Sequence, residues 1–410
     1  MWDRKTSKPL HNAIVWQCRR TTKMCEKLKK QGYARKVRAK TGLVLDPYFS
    51  GSKISWLLKH NKSWKEDAKK GNVLAGTVDT YLVWKLTGGI NHVTDVSNAS
   101  RTMLMNIKKG GWDKELLKLF SVPEKMLPEI KASNALFGVT KNVPKLPDGI
   151  PIHGILGDQQ AALFGQTCFK AGEAKCTFGT GSFILMNTGT KPLQSKAGVL
   201  TTVAWQLEGK KELTYALEGG AFVCGAAVQW LRDGLQFFKS SAEVEELAQS
   251  VESSDGVEFV PALAGLGAPH WAPDARGTIS GLTRGSTRGH IARATLDAMA
   301  LQNVEILQAM EKDLGKKMKH LRVDGGATAN NFLMQLQANY LGQTILRPQI
   351  IETTVAGAAY MAGLGAGVWE NLEDIKHVWN IQQEFKNEMS AKDRAARLES
   401  WKKAIQRTIM

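Results

Sequence analysis

Three short segments carry residue types whose spacing suits chemistry on an anionic group. Gly179-Thr180-Gly181-Ser182 falls at the tip of an expected hairpin. Glycine permits positive φ and a close backbone approach to an anion, and Thr180 and Ser182 add hydroxyl donors. An ordinary tight turn has the same composition. Asp324-Gly325-Gly326-Ala327-Thr328-Ala329-Asn330-Asn331 runs from a strand end through two glycines into a helix. Amides at a helix N-terminus attract phosphate, and the Asn330 amide suits a sugar or purine edge. The plainer alternative is a strand–helix turn with Asn331 near the cap. Gly157-Asp158-Gln159-Gln160 places an acid at the mouth of a strand, where α/β folds gather ligands. Asp158 there suits a general base that takes the proton of an attacking hydroxyl during phosphoryl transfer, or alternatively a helix N-cap.

Aromatic residues add a second kind of wall. Trp16, Tyr48 and Phe183 occur beside polar or Gly-rich turns rather than in apolar stripes. Such rings pack on the C–H edges of a polyol while polar groups hold its hydroxyls, although each ring also suits a core. Gly225, Ala226 and Ala227 with Gln229 form a small-residue helix face. Either an adenine ring or another backbone can approach it.

An α/β frame is needed to position these groups. Ile152–Leu156 reads as a buried strand feeding the 157–160 segment and a helix. Ala174–Thr188 alternates as strand, Gly turn and strand, and Val199–Trp205 is a third strand. Helices are expected over Gly220–Leu235, Thr287–Leu314, Asn331–Leu341 and Thr354–Gly365, with strands over His320–Asp324 and Thr344–Leu346. Three strands followed by alternating helices and strands make an α/β lobe rather than simple βαβ repeats. Upstream, helices are expected over Arg19–Gln31, Ser50–His60 and Gly76–Leu86. Val93–Asn106 reads as strand-like with a polar centre, and Lys131–Pro151 as a Pro-containing connector. The best boundary lies near Gly165–Gly172.

Composition bounds the class. A chain of 410 residues with 43% hydrophobic content fills two or three domains. The net charge is +17, and all of the excess lies in residues 1–150, which hold 29 Lys/Arg against 12 Asp/Glu. Residues such as Lys23, Lys27, Lys29, Lys30, Arg35, Lys36 and Arg38 spread over helical stretches without interleaved aromatics. A solvated basic face is the reading, with nucleic acid a minor alternative partner. Five scattered Cys without C-x-x-C, and eight His without H-x-x-x-H, speak against a disulfide framework and a zinc site. Val355–Trp369 is too short to span a bilayer and no signal peptide is read, so a cytoplasmic protein without a membrane partner is expected.

Segments NAIVWQCRRT (12–21), DPYFSG (46–51), GTVDT (76–80), NASRTML (98–104) and GDQQAALFGQ (157–166) form one ordered set with FGTGSF (178–183) and QWLRD (229–233). GLGAPHWAPDARG (265–277), GLTRG (281–285), VDGGATANNFLMQ (323–335) and GAAYMAGLGAGVW (357–369) complete it. The set resembles the glycerol kinases of the FGGY carbohydrate kinase family nearly end to end. The resemblance implies an α/β, actin-like ATPase architecture with two RNase H-like lobes around a cleft. Residues 1–166 would form the first, glycerol-binding lobe and 167–410 the second, nucleotide-binding lobe. It implies ATP-dependent phosphorylation of glycerol to sn-glycerol 3-phosphate with Mg2+, and a homo-oligomer in the full-length form. On matching positions Asp158 would be the catalytic base and would meet the metal through water. Trp16, Tyr48, Asp158, Gln159 and Phe183 would bind glycerol. Thr180, Gly181, Gly225, Gln229, Gly326, Ala327 and Asn330 would bind ATP or ADP.

The resemblance also brings out a departure. Family members begin with a Gly/Thr/Ser-rich hairpin bearing a metal-linked Asp, and carry an Arg-Glu pair just before the position of Trp2. Neither is in this sequence, so the first lobe is expected to be N-terminally incomplete and turnover weak or absent. A non-catalytic nucleotide-binding remnant is therefore an alternative, and a basic polyanion-binding module a second.

Overall fold

The computed structural model describes residues 1–410, and its largest element is a seven-stranded mixed sheet. From one edge its strands are Leu200–Trp205, Thr214–Ala221, Ser182–Gly189, Ala174–Phe178, His320–Asp324, Thr344–Pro348 and Ile381–Phe385. The first four pair antiparallel. His320–Asp324 lies parallel to both its neighbours, and Ile381–Phe385 closes the sheet antiparallel.

Register gives this sheet two faces of different chemistry. Cys176, Phe178, Ile184, Met186, Leu217 and Val323 fill the main apolar core, against the long helix Arg288–Leu314. Because side chains alternate along a strand, Lys175, Thr177, Phe183, Glu218 and Asp324 share the opposite face. Thr177 stands opposite Phe183 on one side and Asp324 on the other. That second face meets the helix Asp158–Gly165 and the residues that precede it. Asp158–Gly165 in turn crosses Thr353–Gly365 at backbone contact. A Cβ on Gly357 would sit 1.8 Å from the Ala161 carbonyl oxygen, which explains the small-residue run in this stretch.

Residues 1–157 form helices with four separate two-stranded sheets, the longest joining Leu136–Val139 to Pro151–His153. Leu43, Leu45, Phe49, Leu58 and Phe120 centre their core. This lobe docks on the sheet edge, where Val96, Ala99 and Met105 pack on Val203 and Tyr215. Ser100 Oγ and Thr202 Oγ1 lie 3.0 Å apart, and Arg38 donates to the Ser195 carbonyl at 3.0 Å.

Several elements differ from the sequence expectation. Val93–Asn106 is not one strand: the Asp95 side chain takes the Ser97 and Asn98 N–H groups and caps a helix, Val96–Ser100. The strand Thr214–Ala221 was not anticipated, and it delays the helix expected from Gly220 to Gly225–Asp233. The helices Tyr33–Thr41, Lys62–Lys70 and Ala391–Ile409 also went unread. No helix is long and apolar enough to cross a membrane.

Candidate active site

Two cavities meet at the Gly179–Thr180 tip. A cavity of about 1110 Å³ is lined by Trp16, Tyr48, Gln159, Thr177, Phe183 and Glu218, among others. A second, of about 440 Å³, is lined by Gly225, Gln229, Gly326, Ala327 and Asn330. Gly179 and Thr180 line both, and Gly181 lines the larger. The tip is fastened to the start of the Gly225–Asp233 helix. Cys224 N–H donates to the Thr180 carbonyl at 2.8 Å, and Gly225 N–H to the Gly179 carbonyl at 3.0 Å.

The floor of the smaller cavity follows from backbone constraints. Gly325 has φ +89, and a Cβ there would lie 2.6 Å from the Phe178 carbonyl oxygen. Only glycine lets the strand end return so close to the hairpin. Gly326 has nothing within 4 Å of its Cβ direction and leaves open space on the cavity side. Asn330, rather than the expected Asn331, caps the following helix: its side-chain oxygen accepts the Leu333 N–H at 2.7 Å. Its amide nitrogen keeps no protein partner at the cavity wall.

In the larger cavity three rings form an open cup. Trp16 stands edge-on to Tyr48 at 5.5 Å and to Phe183 at 6.4 Å between centroids. Trp16 keeps 43% of its surface exposed and lines the cavity. Burial pushes the Tyr48 phenol up to about 12, so its hydroxyl remains a hydrogen-bond donor at neutral pH.

Asp158 is the first residue of its helix, and Gly157 is the N-cap. The alternative reading of Asp158 as the cap is thus not realised. One carboxylate oxygen accepts the adjacent Gln159 N–H at 2.7 Å, and the other has no protein partner. Asp158 is exposed and lines neither cavity, whereas Gln159 lines the larger. The negative charge of Asp158 acts on Tyr48, Lys175 and Glu218. Behind it, Gly157 N–H donates to Ser97 Oγ at 2.8 Å, and Ser97 Oγ donates to the buried Asp95 at 2.9 Å. Burial pushes the Asp95 carboxyl up to about 6.

The structure therefore gathers Trp16, Tyr48, Gln159, Phe183, Thr180 and Gly181 at one cavity. It gathers Gly225, Gln229, Gly326, Ala327 and Asn330 at the other, with Thr180 again. Sequence reasoning missed the charged floor. Lys175 Nζ donates to Gln159 Oε1 at 2.5 Å, Thr177 Oγ1 at 2.8 Å and the Phe183 carbonyl at 3.3 Å. Glu218 pairs with Arg101 of the first lobe at 2.5 Å. The alternation of Lys175 and Thr177 with Cys176 and Phe178 was the signal that could have exposed the first group. No group of three or more His, Cys, Asp or Glu side chains is arranged to hold a metal by itself.

The chain is similar to known proteins along its length. Residues 1–165 match the FGGY family of carbohydrate kinases, N-terminal domain, and residues 174–366 match its C-terminal domain. A glycerol kinase of Bdellovibrio bacteriovorus is 64% identical over 407 residues, which are 99% of this chain and 82% of that protein. A glycerol kinase of Myxococcus xanthus is 53% identical over 407 residues, with the same shares. Among solved structures, the Plasmodium falciparum glycerol kinase with ADP superposes with a TM-score of 0.94 at 39% identity, covering 100% of this chain and 81% of that one.

Proposed function

We propose that this chain, which belongs to the FGGY family of carbohydrate kinases, phosphorylates glycerol with ATP to give sn-glycerol 3-phosphate. The observation that carries the reading is the Gly179–Thr180 tip shared by two cavities of unlike lining. One has aromatic walls and a polar floor; the other has small residues and free amides. Similarity to glycerol kinases along the chain supports glycerol as the acceptor. We place the lobe boundary between residues 166 and 167.

On this reading the nucleoside lies in the smaller cavity, against Gly225, Gln229, Gly326, Ala327 and Asn330. Its phosphates reach Thr180 and Gly181, whose backbone and hydroxyl groups are donors. Glycerol lies in the larger cavity, with its C–H edges on Trp16, Tyr48 and Phe183 and a hydroxyl at Gln159. Its terminal oxygen forms a bond to the γ-phosphorus as the bond to the leaving ADP oxygen breaks. The proton of that hydroxyl passes to the free oxygen of Asp158. Asp158, exposed and with one carboxylate oxygen free of protein partners, would be the residue that holds a nucleotide-borne Mg2+. When bound, the cation neutralises phosphate charge.

Asp158→Asn tests the assignment of the base. The expected result is a kcat for glycerol-dependent ADP release lower by about 10²- to 10⁴-fold. Calorimetric ADP affinity stays within about twofold, because Asp158 does not line the nucleotide cavity. An unchanged kcat would overturn it.

A further inference from the structure

We propose that Lys175 is a positioning residue that fixes the hydrogen-bond polarity of the substrate cavity by holding the acceptor oxygen of Gln159 away from it. The proposal rests on the kinase reading for its substrate, but its geometry does not.

Lys175 is fully buried on the sheet face that meets the cleft, and it lines neither cavity. An ammonium carries three N–H donors, and here three acceptors surround it: Gln159 Oε1, Thr177 Oγ1 and the Phe183 carbonyl. Burial lowers the Lys175 pKa below the ordinary lysine value, and the negative charges of Asp324, Asp158 and Glu218 offset only part of that.

The consequence falls on Gln159, which does line the cavity. A glutamine amide has one acceptor oxygen and one NH2 group. With its oxygen held by Lys175 behind the wall, Gln159 turns its NH2 toward the cavity, and that group has no partner in the protein. Thr177 also accepts from Lys175, which leaves its own O–H proton to donate. Gln159 therefore presents only a donor to the cavity, while Thr177 keeps its O–H donor and one free lone pair. A substrate hydroxyl that accepts from Gln159 must give its proton elsewhere, and the neighbouring acceptor is the free oxygen of the adjacent Asp158 carboxylate. Lys175 thus orients the substrate hydroxyl so that its lone pair faces the floor and its proton faces a carboxylate. It does so without touching substrate.

Two measurements test this. The first is steady-state kinetics of Lys175→Met, Gln159→Ala and the double variant. Lys175→Met is expected to raise the KM for glycerol by about tenfold while the KM for ATP stays within about twofold. In the Gln159→Ala background the same change should add less than about threefold, because the group through which Lys175 acts is gone. Equal rises in both KM values, or effects that multiply in the double variant, would overturn the proposal. The second uses protein 15N-labelled at glutamine side chains, without substrate, with the Gln159 signal assigned from Gln159→Ala. A rigid Gln159 amide in the parent that becomes mobile in Lys175→Met supports the proposal, and an amide equally rigid in both refutes it. If the parent does not phosphorylate glycerol, the kinase reading falls while the amide measurement still decides the role of Lys175.

Discussion

Replacing Glu218 with glutamine probes how the two lobes are held together at the cavity floor. Arg101 Nη2 and Glu218 Oε1 are 2.5 Å apart, with side chains 17% and 6% exposed. The Arg101 guanidinium also lies 5.2 Å from the centre of the Phe49 ring. Arg101 Nη1 and Glu218 Oε2 are both buried without a partner, so each ion depends on the single bond between them. Burial pushes the Glu218 carboxyl up, and Arg101 is the main group opposing that rise. Glu218→Gln keeps the shape and leaves the guanidinium buried beside a neutral amide. Removing one member of a buried pair costs about 3–5 kcal/mol. With an unfolding entropy of about 2 cal/mol/K per residue over 410 residues, that is about 4–6 °C in Tm if the lobes melt together. The double variant Arg101→Met/Glu218→Leu removes both charges and should return to within about 2 kcal/mol of the parent, because apolar replacement of a whole buried pair is often neutral. Scanning calorimetry reads all of these, with Arg101→Met as the other single variant. A Glu218→Gln drop below about 1 °C, or single-variant losses that simply add in the double, would refute the coupling.

Other outcomes follow from particular contacts. Gly357→Ala puts a methyl 1.8 Å from the Ala161 carbonyl oxygen, with no rotamer to relieve it. It should cost at least about 1–3 kcal/mol by denaturant titration and lower activity by shifting the Asp158 helix. Gly326→Ala meets open space; its Tm should stay within about 1 °C while calorimetric ADP affinity falls. Trp16→Ala should raise the glycerol KM about tenfold without a Tm change beyond about 1 °C, since the indole is half-exposed. His92 makes a 3.0 Å bond to the Ala75 carbonyl and lies edge-on to Trp2, and burial holds its pKa at about 4. The unfolded chain takes that proton near about 6.5, so it binds more protons than the folded chain between the two values. Stability should therefore fall as pH drops from about 6.5 to about 4, by about 3 kcal/mol in full, and His92→Gln should flatten that slope in urea titrations.

The site was legible where its residues are contiguous. Gly179-Thr180 declares a hairpin turn locally, Gly326 through Asn330 and Asp158-Gln159 each declare a helix start, and the fold only had to bring them to one place. The chemistry that depends on partners far apart in the chain was not legible. Nothing near Glu218 announces Arg101, which pairs with it across 117 positions. Lys175 between Ala174 and Cys176 looks like any strand lysine until the register puts it on a buried face. Thr214–Ala221 was missed because its Leu-Glu-Gly-Gly centre lowers strand propensity, and only pairing on both sides rescues it. Val93–Asn106 misled in the opposite way: β-branched residues suggested a strand, but one Asp95 side chain satisfied two helix N–H groups and decided the matter.

Phosphorus NMR of the chain with ATP, Mg2+ and glycerol follows phosphoryl transfer across the Gly179–Thr180 tip as it occurs. The expected result is a phosphomonoester resonance that grows in step with ADP and vanishes when glycerol is left out. Inorganic phosphate formed at the same rate with or without glycerol would contradict it, as would ADP bound by the chain with no new phosphomonoester.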